Sequence, residues 1–86
     1  MSNITDIAAR IKDFIEREFP QPGAELTLST NLLEEWFIDS LGIVNTTLFL
    51  ESAFGIEVRR ADINAANFRS IETLARYVAE RLGGGG

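Results

Sequence analysis

The sequence predicts an all-α domain: a small four-helix bundle of three long helices and one short one, with a long first loop. Three observations carry this. Apolar residues recur with helical period in three segments. Each segment has a capping residue ahead of it and a breaker or glycine behind it. No stretch alternates for long enough to build a sheet, and the 86 residues suit one small domain.

The first helix is expected over residues 4–19, where Ile4, Ile7, Ala8, Ile11, Phe14, Ile15 and Phe19 follow the i, i+3, i+4, i+7 spacing. Thr5 or Asn3 caps its start, and Asp6 suits the positive helix end. Arg10, Lys12, Asp13, Glu16 and Arg17 make the opposite face, with Asp13 and Arg17 at pairing distance along it. Pro20 ends the helix.

The connection from Gln21 to about Ile38 is too apolar for a solvated loop, holding Leu26, Leu28, Leu32, Leu33, Trp36, Phe37 and Ile38. It is expected to lie across the bundle, with a short helical turn near Leu32–Trp36 initiated by Thr30 or Asn31. Trp36 has two readings: a core plug anchoring the loop, or a ring set beside Ser40 or at a partner's surface.

The central helix runs from Leu41 to Phe54. Leu41, Val44, Leu48 and Phe54 mark its apolar stripe, widened by Ile43, Phe49 and Leu50. Asp39 and Ser40 stand where a side-chain oxygen caps the first turn, and Gly55 is a left-handed stop. Ile56-Glu57-Val58 alternates only briefly. Asp62 caps a short helix or 3₁₀ turn near Ile63–Asn67, with Phe68 as its core contact. Ser70 caps the last helix, whose buried face is Ile71, Leu74, Ala75, Val78 and Leu82. Residues 3–82 form the domain, and 83–86 are a flexible glycine tail.

The chain has no cysteine and no histidine. It therefore supplies no thiol, no disulfide and no imidazole base. It lacks a glycine-rich phosphate loop and a cluster of metal ligands. A serine nucleophile needs a base within reach, and Lys12 lies on a solvated face. No catalytic residue and no metal site are expected, and the chain is not an enzyme on this reading. No apolar run can span a bilayer, and Met1-Ser2-Asn3 lacks a secretory start, so a cytoplasmic monomer is expected.

Formal net charge is −5. Between Glu18 and Val58 there are seven acids and no Lys or Arg. Nucleic acid is an unsuitable partner for that field, while a basic protein surface would be attracted. Alternatively the field serves solubility alone.

Asp39-Ser40-Leu41, the amphipathic helix after it, Glu51, Phe54-Gly55-Ile56 and the final helix together resemble the acyl and peptidyl carrier proteins. The likeness covers Ile4 to Leu82. It implies a carrier domain in which Ser40, flanked by Asp39 and Leu41, bears a 4′-phosphopantetheine arm taken from coenzyme A. Acyl or aminoacyl intermediates ride on that arm as thioesters. The implied partners are a phosphopantetheinyl transferase, an acyl- or aminoacyl-loading ligase, and downstream synthases or transferases. Asp39 suits the modifying enzyme or its metal, and a positive helix end suits a phosphodiester at Ser40. The alternative for Ser40 is a plain N-cap.

The central helix is then the reading surface, with Ile43, Val44, Phe49 and Glu51 as contacts and Gly42, Asn45, Thr46 and Ser52 exposed. Carriers of the fatty-acid type usually place acids just after the motif and at mid-helix. Here Gly42, Asn45 and Thr46 stand there, with only Glu51 kept, which points away from the housekeeping fatty-acid pathway and to a specialised one of polyketide, peptide, aminoacyl or fatty-acid-like type. Burial of Ile43 and Phe49 beneath the loop is the alternative. A second hypothesis keeps the fold without the arm: an unmodified helical protein–protein interaction module.

Overall fold

The computed structural model describes residues 3–83. Four helices follow one another: α1 (Ile4–Glu18), α2 (Ser40–Phe54), α3 (Ala65–Phe68) and α4 (Ile71–Gly83). A 3₁₀ turn at Arg60–Asp62 precedes α3, and no strand occurs among the described residues. This is the all-α bundle of three long helices and one short. Of the glycine tail, Gly83 is the last residue of α4 and 84–86 lie outside the described residues.

Asn3 is the α1 cap, its Oδ1 accepting the Asp6 N–H at 2.9 Å. Ile7, Ala8, Ile11, Phe14 and Ile15 are buried, whereas Ile4 is exposed at the end of its stripe. The helix packs chiefly on α4, which buries Ile71, Leu74, Ala75, Tyr77 and Val78. Leu82, expected on that face, is exposed, since it lies beyond the last turn that α4 buries. Ser70 and Thr73 cap α4 reciprocally: Ser70 Oγ accepts the Thr73 N–H and Thr73 Oγ1 accepts the Ser70 N–H. Lys12–Glu16 and Asp13–Arg17 pair along α1 at 3.0 and 3.4 Å, too exposed to add much.

The long first loop is sewn at two points to the segment that ends α3 and begins α4. Leu32 donates its N–H to Arg69 O at 2.7 Å, and Leu28 O accepts from Glu72 at 3.0 Å. Asn31 organises the expected turn, its Oδ1 accepting from Leu33 and Glu34 while Glu35 Oε1 accepts the Asn31 N–H. The result is a hydrogen-bonded turn, not a regular helix. Trp36 is the core plug: it is buried, and its Nε1 donates to Phe19 O at 2.8 Å.

Asn64, not Asp62, caps α3. Asp62 instead ends the 3₁₀ turn and accepts the Tyr77 hydroxyl at 2.8 Å, with Arg59 at 3.4 Å. That tyrosine hydrogen bond holds the Asp62 carboxyl below its ordinary value, against the opposing effect of desolvation. Burial first, and the Asp62 bond second, push Tyr77 up to about 12. The pair ties the segment between α2 and α3 to α4, and Phe68 fills the core there.

Candidate functional site

The site is built at the start of α2. Asp39 is extended (φ −92°, ψ −172°), and its Oδ1 accepts the Gly42 N–H at 2.9 Å. Asp39 is therefore the N-cap, and Ser40 is the first helical residue, one position earlier than the periodicity suggested. Capping thus makes no use of the Ser40 hydroxyl. Ser40 is exposed, and its hydroxyl takes no hydrogen bond among the described residues. The N–H groups of Ser40 and Leu41 sit where a helix offers no internal acceptor, at its positive end.

Gly42, in the first turn, is not on the exposed side where the sequence placed it. It is buried, and a Cβ there would meet Ile38 Cγ2 at 2.6 Å and the Phe19 ring at 3.1 Å. The loop and the end of α1 press directly on the helix backbone, so the residue at this point has to be small.

That close approach decides which way α2 faces. Its buried positions are Gly42, Thr46, Thr47 and Leu50. Thr46, only 2% exposed, donates its hydroxyl to Gly42 O at 2.8 Å, and Thr47 does the same to Ile43 O at 2.9 Å. The two hydroxyls are satisfied inside the helix and bury as small, nearly apolar groups. Leu41 (68% exposed), Val44 (52%) and Leu48 (57%) point to solvent. The stripe expected to be dry is the wet one.

The expected contact residues are redistributed accordingly. Val44 is exposed; Ile43 and Phe49 are only partly so and pack on the core. Phe49 stacks on Phe14 with ring centroids 4.2 Å apart and planes within 12°. Phe54 meets Phe49 edge-on at 6.0 Å and lies under the Arg10 guanidinium at 4.6 Å. Gly42 and Thr46, placed on the reading surface from sequence, face inward, while Asn45 and Ser52 remain exposed. Glu51 is half-buried, its Oε2 accepting the Val58 N–H at 3.0 Å. Since Glu51 is the only charged residue of α2, the outward face of the helix is uncharged.

One neighbour of the serine was not singled out from sequence. Phe37 is 74% exposed, more than any other large apolar side chain of the described residues. It has φ +58°, a left-handed conformation that costs a non-glycine residue about 1–2 kcal/mol. Glycine or asparagine usually signals such a position, so no local feature of the sequence could have marked it.

The Ser40 hydroxyl is thus exposed, uncommitted among the described residues, and beside two N–H groups at the positive end of the helix. No imidazole exists in the chain to activate it. Among the described residues no three metal-ligating side chains cluster, and no helix is long and apolar enough to cross a membrane.

The family model described as the phosphopantetheine attachment site matches residues 9–78. The acyl carrier protein of Thermotoga maritima is 24% identical over 83 residues, covering 96% of this chain and 100% of that protein. The chain therefore belongs to the phosphopantetheine attachment-site family of carrier proteins, whose cofactor is covalently held 4′-phosphopantetheine.

Proposed function

We propose that this chain is a carrier whose 4′-phosphopantetheine is esterified to Ser40, and that it presents acyl or aminoacyl cargo to separate enzymes. The observation that carries this reading is the division of labour at the start of α2. Asp39 takes the capping bond, and Ser40 keeps an exposed hydroxyl with no hydrogen-bond partner among the described residues. In loading, Ser40 Oγ bonds to the pantetheine-side phosphorus of coenzyme A. The bond to adenosine 3′,5′-bisphosphate breaks, and the Oγ proton passes to a base on the transferase. Once attached, the arm supplies the thiol that the polypeptide lacks and that bears cargo as a thioester. The chain's own work is then to hold the ester at a positive helix end and to be recognised. Activation and transfer of the cargo fall to its partners.

Recognition is assigned to Leu41, Val44 and Leu48, an uncharged apolar face that seats a partner by packing. The absence of charge from the outward side of α2 supports a polyketide, peptide or aminoacyl-type pathway. Incubation with a broad-specificity phosphopantetheinyl transferase and coenzyme A is expected to add the mass of one arm per chain. An unchanged mass would refute the reading.

The same exposed face favours a second reading, an interaction module that binds a partner without the arm. Protein purified from its native host separates the two: recovery of the modified form eliminates the unmodified module.

A further inference from the structure

Phe37 is held outward by its neighbours. Trp36 before it and Ile38 after it are both buried. Trp36 is fixed through its indole N–H to Phe19 O, its carbonyl accepting from Gln21 Nε2 at 2.7 Å, and its own N–H to Asn31 O. Ile38 donates its N–H to Leu32 O at 3.0 Å. With both flanks anchored, the intervening left-handed residue projects its ring into solvent and has no local route back. An exposed phenylalanine in a strained backbone is doubly unfavourable in the free chain, and the fold enforces it. Strain of this kind, next to a reactive position, is a reason to look for a role outside the fold.

The ring's neighbourhood names the partner. Phe37 lies three residues before Ser40, so their Cα atoms are within about 11 Å. Leu41, directly after Ser40, is also outward and apolar. An enzyme that brings its reacting centre to the Ser40 hydroxyl itself works within a few residues of both exposed side chains. Enzymes that act on the far end of an attached arm need not come so close.

We infer that Phe37 is an aromatic anchor for the phosphopantetheinyl transferase that modifies Ser40, its ring entering an apolar recess of that enzyme. This rests on Ser40 being the attachment point. A rigid, pre-positioned aromatic side chain is well suited to this, because little freedom remains to be lost on docking.

The test is the initial rate of mass gain with a broad-specificity transferase and coenzyme A, measured against carrier concentration. Phe37→Gly and Phe37→Asn remove the ring and relieve the backbone, so their unfolding temperatures should equal or exceed the parent's. Their KM for the carrier should rise about tenfold. kcat should stay within about twofold, as expected when only binding is lost. Phe37→Tyr should keep the parental KM, and so should Leu82→Ser, at an exposed apolar residue at the far end of the chain. Parental KM in Phe37→Gly, or loss confined to kcat, overturns the anchor while leaving Ser40 as the attachment point. No mass gain in the parent chain instead removes the Ser40 reading, and the anchor with it.

Discussion

Ile38 Cγ2 lies where a Cβ on Gly42 would have to be, 2.6 Å from its ideal position. The contact sets the distance between the long loop and α2, and so the attitude of the helix that begins at Ser40. Alanine at an exposed helix position gains about 1 kcal/mol over glycine. Here Cγ2 belongs to a stiff β-branched side chain that is itself buried. Overpacking of about 1–3 kcal/mol should outweigh the helical gain. Gly42→Ala is expected to lower the unfolding temperature by several degrees in a thermal melt. A higher unfolding temperature would mean that the loop yields and the contact sets nothing.

Phe49 and Leu48 are adjacent in sequence but serve different ends. Phe49→Ala removes the ring stacked on Phe14 and should destabilise the fold by about 2–3 kcal/mol in urea unfolding, allowing for its partial exposure. Leu48→Ser removes only outward apolar surface and should change stability by no more than about 0.5 kcal/mol. It should weaken partner binding in a titration, and that binding should vary little with ionic strength, since no charge lies on that face.

Glu51 is assigned to the fold. Its carboxylate accepts the Val58 N–H and fixes the chain just beyond Gly55. Glu51→Ala should cost about 1–2 kcal/mol in stability, as expected when a hydrogen bond to a charged acceptor is lost from a half-buried site. Affinity for the transferase should be unchanged. A larger effect on affinity than on stability would return Glu51 to the recognition surface.

The Tyr77–Asp62 bond makes stability depend on pH at both extremes. Tyr77 is raised to about 12 from an ordinary 10.0, so folding favours its neutral hydroxyl. That contribution is complete below pH 10 and is lost as pH rises toward 12. Asp62 is lowered from 3.8, so its contribution is present above that value and is lost as pH falls through the lowered one. Tyr77 is the only tyrosine of the chain. Its phenolate absorbance should therefore titrate near 12 in the folded protein and near 10 in denaturant. A midpoint near 10 in the folded state would contradict the buried bond.

The helices were legible because α1 and α4 carry their apolar residues on one face with helical period, and because Asn3, Ser70 and Gly55 cap or stop helices by local chemistry that sequence displays. The facing of α2 was not. Its inner side is built from Gly42, Thr46 and Thr47, whose hydroxyls are consumed within the helix and which count as polar or neutral on any hydropathy scale. Its outer side carries Leu41, Val44 and Leu48, which such a scale assigns to the core, and Leu50 is its one buried leucine. Asp39 and Ser40 are both good caps, so only geometry could divide the capping bond from the free hydroxyl. Phe37 reads as one more apolar loop residue until its backbone angle is known.

The position of the added mass is the most direct test of the account. After loading from coenzyme A, fragmentation of the intact protein in a mass spectrometer is expected to place one phosphopantetheinyl group on Ser40. Ser40→Ala should stay at its starting mass under the same conditions. A group found on Ser29, Ser52 or Ser70, or an equal gain in Ser40→Ala, would contradict the assignment of the arm to the start of α2.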